Sequence, residues 1–169
     1  MPGLLDQIIL YPIFYIWPAY IANGLPVIFG RGKNRVPVDF NKKIGGKLIF
    51  GKHKTIRGLA GGIGSGIVMS IIESLFAPYM LYVGIALTIG TNIGDLTGSF
   101  IKRRMGSKEG SQVYLLDQYT FLLFALLFAL PFGHAPGISG IVFIVILTGM
   151  LHPLTNFLAH KLKLKEVPW

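Results

Sequence analysis

The stretch TNIGDLTGSFIKRRMGSKEGSQVYLLD, residues 91–117, decides how the rest of the chain is read. It starts inside an apolar run, carries Asp95 within that run, and leaves it through four cations, Lys102, Arg103, Arg104 and Lys108. The next apolar run opens with Asp117. A carboxylate inside a hydrophobic span costs roughly 2.5–3.5 kcal/mol on insertion scales, so its presence points to a function. Two carboxylates flanking a knot of cations suggest a metal ion and phosphate groups.

Outward from this stretch, composition sets the class. The chain has 169 residues, of which 52% are hydrophobic and 14% charged, and its mean hydropathy is +0.60. Soluble domains carry about 25% charged residues, so this is the composition of an integral membrane protein. With no cysteine there is no disulfide framework, thiolate nucleophile or Cys-ligated zinc. The four histidines are scattered without zinc-site spacing. The N-terminus lacks a basic n-region and an A-x-A-like cleavage site, so the first apolar run is expected to remain in the mature protein. A net charge of +9 would suggest nucleic acid in a soluble protein. Here it is confined to short segments between apolar runs, which favours anionic headgroups and phosphorylated substrates and argues against nucleic acid.

Five apolar runs are long enough to cross a bilayer, which needs about 20 residues: 4–29, 58–76, 78–100, 114–132 and 138–158. The expected fold is an all-α integral membrane protein with five transmembrane helices. Its whole length, 1–169, forms one membrane domain. Nine Lys/Arg fall in the loop 30–57, four in the loop 101–113 and three in the tail, which accounts for all 16. Five spans put every one of them on the same side, and any other count breaks that agreement. The positive-inside rule therefore places the N-terminus out, the C-terminus in, and both basic loops in the cytoplasm. In the loop 30–57 the β-prone runs 36–40 and 47–50 flank a turn-rich segment, so a small hairpin is expected there.

Within 78–100, Thr91, Asn92, Asp95 and Ser99, followed by Lys102, recur at three- and four-residue spacing and form one helical stripe. Asp95 lies seven residues before Lys102, about 10 Å along a helix, which suits a shallow site open to the cytoplasm. Asp117 opens the next, antiparallel run, so the two carboxylates can meet across a short turn. Carboxylates with substrate phosphates are usual ligands of Mg²⁺, which keeps several waters. For Asp117 the alternative is a helix N-terminal residue stabilised by the macrodipole. A second basic run, Lys52, His53, Lys54, Thr55 and Arg57, leads into Gly61, Gly62, Gly64 and Gly66. Cations before the amides of a helix start make a phosphate-receptive site. Gly58, Gly62 and Gly66 equally fit the small-xxx-small packing pattern of membrane helices. Asn23, at the cytoplasmic end of the first span, is a further candidate for ligand contact. His152, Thr155 and Asn156 share a face of the last span and Glu73 lies at the outer end of the second, both weaker signals.

The segment Ser99-Phe100-Ile101-Lys102-Arg103, four residues, then Lys108-Glu109, resembles the signature of the phosphatidate cytidylyltransferases, in which Ser-x-apolar-Lys-Arg is followed after four residues by Lys-Asp. Asp117 corresponds to the downstream acid. Glu109 replaces the Asp, the His-Gly-Gly of that signature is absent, Gln118 stands where Arg is expected, and Thr120 replaces the last Asp. The five-span build and the run 52–58 make the whole chain similar to the shorter archaeal CDP-archaeol synthases. That resemblance implies transfer of CMP from CTP to 2,3-bis-O-geranylgeranylglycerol 1-phosphate, with release of pyrophosphate, at the cytoplasmic face of the cell membrane. In that reaction Asp95 and Asp117 would hold Mg²⁺. Lys102 would act with them, while Lys52, His53, Lys54, Thr55, Arg57, Arg103 and Lys108 would bind phosphate, with Asn23, Thr91, Asn92 and Ser99 completing the substrate site. No general base is needed, because the attacking phosphate is already ionised near pH 7.

Two other classes compete. An acylphosphate acyltransferase would also be small, basic and glycine-rich, yet has no need of a carboxylate pair; Mg²⁺ stimulation and pyrophosphate release separate the two. A transporter would line both halves of the membrane with polar residues and often carry paired repeats, whereas here the polar stripe lies in one half.

The topology is directly testable because the chain has no cysteine of its own. A membrane-impermeant thiol reagent applied to intact cells should label Ala135→Cys and spare Ser107→Cys. Labelling of Ser107→Cys from outside contradicts the assignment.

Overall fold

A computed structural model describes residues 3–32, 35–165 and 167; Lys33, counted above among the basic residues of the first loop, lies outside them. A π-helical turn at Asp6–Leu10 runs into helix α1 (Tyr11–Gly24) and the short α2 (Pro26–Phe29). A two-stranded hairpin follows, β1 (Lys43–Ile44) and β2 (Lys47–Leu48). The chain then builds α3 (Ile56–Ser74), α4 (Met80–Arg104), α5 (Tyr114–Ala129) and α6 (Ile138–Lys161), with a 3₁₀ turn at Leu130–Phe132 after α5.

Among the described residues, four segments are long and apolar enough to cross a membrane: Asp6–Phe29, Ile56–Ser74, Tyr114–Phe132 and Ile138–Lys161. They correspond to four of the five expected spans. The fifth, α4, is the longest helix at 25 residues but too polar to join them. It packs against α1, α3 and α5, so its Thr88, Thr91, Asn92 and Ser99 are buried by protein. A helix enclosed by its neighbours can carry polar groups that a lipid-facing helix cannot. The apolar core around it is built from Tyr15, Ile16, Met80, Leu87, Phe121 and Ile144. Helix α4 also runs past the expected end at Phe100, so Lys102, Arg103 and Arg104 form its last turn, where cations complement the exposed carbonyls and the negative end of the dipole.

Close contact between α4 and α5 depends on Gly90, Gly94 and Gly98, one turn apart. A methyl group at Gly94 would sit 2.5 Å from the Thr120 carbonyl oxygen and 2.7 Å from Phe121 Cα. On α3, Gly62 is equally tight: a methyl there would lie 2.7 Å from the Ala22 carbonyl oxygen and 2.9 Å from Asn92 Oδ1. Of the glycines after the second basic run, Gly61, Gly62 and Gly66 therefore serve helix packing.

The loop 30–57 corrects one expectation. The run 36–40 is not a strand: only Pro37 forms a bridge, to Thr55, and the chain turns at Phe40 and Asn41, whose φ angles are 49° and 61°. The cause is Asp39, which is buried and accepts the amide N–H groups of Asn41 (3.0 Å), Phe50 (2.8 Å) and Gly51 (3.2 Å). An Asp gathering nearby amides competes with strand pairing. The hairpin forms one step later, about Gly45 and Gly46, whose φ angles of 58° and 76° match the primed turn that two-residue hairpins require. Burial pushes the Asp39 carboxyl up, but the amides bonded to its ionised form outweigh that and hold it below its ordinary value.

Two outcomes follow. Gly94→Ala should lower the melting temperature in detergent and destabilise the bundle by about 1–3 kcal/mol through overpacking. Gly64→Ala, where the added methyl meets nothing within 4 Å, should not; equal stability of the two variants contradicts the packing account. For Asp39, the depressed folded-state value means that its stabilisation is complete above the unfolded value of about 3.9 and fades as pH falls through the folded value. Hydrogen exchange at the Phe50 and Gly51 amides should thus lose protection on acidification below about pH 4. Asp39→Asn should already be unprotected at neutral pH; protection independent of both would rule the role out.

Candidate active site

Two lysine–aspartate pairs organise the basic end of the bundle. Lys54 Nζ donates to both oxygens of Asp95, at 2.6 and 2.5 Å. Lys102 Nζ donates to Asp117 Oδ1 at 2.6 Å and to the Ser111 carbonyl at 3.2 Å. Asp95 and Lys102 lie two turns apart on α4, and Asp117 is on the first turn of α5. Lys54 comes from the loop just before α3, where Val38 N–H bonds the Lys54 carbonyl (2.8 Å) and Ile56 N–H bonds the Val36 carbonyl (2.9 Å). Three elements thus converge, and the carboxylates remain open to water, with 38% of the Asp95 and 24% of the Asp117 side chain exposed.

Asp117 occupies the helix-start position that one of its two sequence readings gave it. Its Oδ2 accepts the Val113 N–H at 2.9 Å, capping α5, while its Oδ1 faces the Lys102 ammonium. Among the described residues no group of three or more His, Cys, Asp or Glu could hold a metal, so an all-protein cage is absent there. Two carboxylates, each already holding a cationic group, are nevertheless the donor set that Mg²⁺ uses when phosphate oxygens and water complete its shell.

The other expected residues divide. Arg103 is buried and donates to the Lys108 carbonyl at 3.2 Å. It also lines a cavity of about 670 Å³ together with Lys43, Lys47, Lys52, Ser107 and Glu109. That volume falls within the roughly 300–1,000 Å³ typical of small-molecule sites. Neither Asp95 nor Asp117 lines it; Arg103, which does, follows Lys102 in sequence on the last turn of α4. Lys52 and His53 line a smaller neighbouring cavity of about 360 Å³. Lys108 and Arg57 are exposed, and the Arg57 guanidinium lies toward Gly32. Thr55 caps α3 by accepting the Gly58 N–H at 3.1 Å. Asn92 and Ser99 turn back on their own helix, to the Thr88 carbonyl (2.8 Å) and the Asp95 carbonyl (3.0 Å). Thr91 is buried with an unpartnered hydroxyl, and Asn23 is half-buried on α1.

Sequence reading missed three contributors. Arg104 ties the hairpin to α4 by donating to the carbonyls of Ile44, Lys47 and Leu48; it was legible as part of the cation knot but not as an anchor. Gln118, beside Asp117, is fully buried with both amide atoms unpartnered. Lys165, read only as a topology signal, folds back on α6 and donates to Asn156 Oδ1 at 2.9 Å. Burial, then the nearby Lys54, depress its ammonium to about 8, while Asp117 and Asp95 act in the opposite sense.

Residues 5–169 match the family described as CarS-like, CDP-archaeol synthase. A CDP-archaeol synthase of Pyrococcus abyssi is 44% identical over 94% of this chain and 99% of its own length. That of Methanopyrus kandleri is 43% identical over 93% and 91%. A solved structure of an intramembrane enzyme for archaeal membrane lipids biosynthesis superposes with a TM-score of 0.78 at 33% identity, covering 85% of this chain and 91% of that one.

Proposed function

This chain belongs to the CDP-archaeol synthase family, and from that premise we propose how its ion-paired site carries out the family's reaction. The protein is a CTP-dependent cytidylyltransferase of archaeal lipid biosynthesis. It transfers CMP from CTP to the phosphate of an isoprenoid glycerol ether lipid and releases pyrophosphate.

The acceptor phosphate oxygen forms a bond to the α-phosphorus of CTP, and the bond from that phosphorus to the bridging oxygen of pyrophosphate breaks. The acceptor is ionised at neutral pH, so the protein's tasks are alignment and charge neutralisation. The observation that carries the proposal is the pair of carboxylates, Asp95 and Asp117, each held by its own lysine beside a basic cavity. Asp95 and Asp117 would hold Mg²⁺, which when bound polarises the phosphoryl group and shields its charge. Lys54 and Lys102, once exchanged off their carboxylates, donate to phosphate oxygens; three ammonium donors each suit them to that role. Arg103, Lys43, Lys47 and Lys52 line the cavity that receives the triphosphate. A cation-lined entrance raises the local concentration of an anionic nucleotide.

Five spans, with the N-terminus out, remain our reading of the topology. It is supported by hydrogen bonds that gather the basic segments at one end of the bundle: Arg31 to the Lys163 carbonyl, Lys54 to Asp95, and Lys47 to the Arg104 carbonyl. CTP would then enter from the cytoplasm, and the lipid phosphate would arrive from the adjoining leaflet.

Purified protein supplied with labelled CTP, lipid phosphate and Mg²⁺ should form CDP-lipid and pyrophosphate. Asp95→Asn and Asp117→Asn should each lower turnover by about 10²-fold or more, the scale of losing one preorganised charge-stabilising group. Near-normal turnover in both variants contradicts the metal assignment.

A further inference from the structure

The basic cavity accounts for one substrate, whereas the reaction brings two phosphate-bearing molecules together. The tail after α6 supplies a cation on a different wall of the site. Its backbone folds back on the helix end: Leu164 and Lys165 N–H groups both reach the Ala159 carbonyl, at 2.7 and 3.2 Å. His160 Nδ1 lies 3.1 Å from the Lys165 carbonyl, and Arg31 donates to the Lys163 carbonyl at 2.7 Å. The side chain of Lys165 is fixed as well, by Asn156 Oδ1 at 2.9 Å, and Asn156 Nδ2 is 3.3 Å from His152 Nδ1. His152 stacks on Phe121 of α5 at 6.2 Å. The tail is thus braced from two helices and from the segment after α2.

Charge pairing separates this lysine from the other two. Lys54 and Lys102 each hold a carboxylate. Among the described residues, the side-chain partner of Lys165 is a neutral amide and it forms no ion pair. Yet its ammonium interacts electrostatically with all four members of the two pairs, Lys54, Asp95, Lys102 and Asp117. A half-buried cation held beside the two pairs, with no ion-pair partner among the described residues, is suited to an anionic ligand, because its desolvation is already incurred and its rotamer already fixed.

The location indicates which anion. The cavity lined by Lys43, Lys47, Lys52 and Arg103 lies on the hairpin side, whereas Lys165 is held on α6. That helix presents an exposed apolar face of Met150, Leu154, Phe157 and Leu158, as expected of a surface against acyl or isoprenoid chains. Asn156, which holds the lysine, lies on the side of α6 turned away from Met150, Leu154 and Phe157, so an amphiphile on this face brings its phosphate to Lys165 around the C-terminal end of the helix.

We propose that Lys165 binds the phosphate of the lipid acceptor, with Asn156 positioning its ammonium. This deepens, and rests on, the cytidylyltransferase reading above. The site is thereby divided, with nucleotide phosphates on the hairpin side and acceptor phosphate on the α6 side.

Steady-state kinetics in nanodiscs test this with Lys165→Gln and Lys165→Arg, alongside direct titration of an isoprenoid glycerol ether phosphate without CTP. Lys165→Gln should raise KM for the lipid phosphate, and weaken its binding, about 10-fold or more, the effect of losing one charge-assisted hydrogen bond. KM for CTP should stay within about twofold of wild type, since the nucleotide's contacts lie elsewhere, and Lys165→Arg should recover most of the loss. In the wild-type protein, lipid phosphate alone should protect Lys165 from amine acylation read by mass spectrometry, and CTP alone should not; this readout needs no variant to fold. A rise in KM for CTP instead, or protection by CTP alone, overturns the proposal in favour of a nucleotide contact. Unchanged lipid binding and KM in an active Lys165→Gln overturns it outright while leaving the cytidylyltransferase reading intact. A wild-type protein that binds lipid phosphate through Lys165 but forms no CDP-lipid would refute the reaction and leave the contact standing.

Discussion

The arrangement depends on two carboxylates placed at the edge of an apolar bundle. Asp95 and Asp117 lose part of their hydration there, and a counter-charge offsets that loss. Lys54 and Lys102 supply it at hydrogen-bonding distance. Both pairs retain partial exposure, so neither is sealed in, and exchange of an ammonium for another cation does not require the bundle to open. The same pairing ties the loop before α3, the end of α4 and the start of α5 together.

Two helix contacts set the geometry of these pairs. Gly90, Gly94 and Gly98 let α4 approach the backbone of α5, which brings Lys102 to Asp117. Gly62 and Gly66 do the same for α3 against α1 and α4, and Gly58 does so against Pro26 and Gly30; with the bridge from Pro37 to Thr55 they hold Lys54 over Asp95. Membrane helices gain little from burying apolar surface against one another, so close van der Waals packing at small residues takes that role. Asp39 and Arg104 extend the order into the loop, one by collecting amides and the other by collecting carbonyls.

Much of this was legible in the chain. The apolar runs gave the helices, and the position of Asp95 relative to Lys102 and Asp117 pointed to the site, because hydropathy and helical spacing are local properties. The ion-pair partners were not legible. Lys54 stands 41 residues from Asp95, and no periodicity links a loop lysine to a helix carboxylate. The loop was misread at 36–40 for a related reason: β-prone residues there are overruled by a single Asp39 side chain whose partners at Phe50 and Gly51 are distant in sequence. Ser99 and Asn92 show the converse. Their spacing put them on the stripe with Asp95, yet their side chains bond back to α4 itself. Lys165 was counted as charge rather than as a contact, since a tail's fold-back leaves no pattern in the sequence.

The central claim is that Asp95 and Asp117 exchange their lysines for a metal ion when nucleotide binds. The most direct measurement is a crystal or cryo-EM structure with CTP and Mn²⁺ replacing Mg²⁺, the metal located by its anomalous signal or density. The account predicts metal coordinated by Asp95 and Asp117, with Lys54 and Lys102 moved onto phosphate oxygens. Metal bound away from Asp95, with both lysine–aspartate pairs intact beneath the nucleotide, would contradict it.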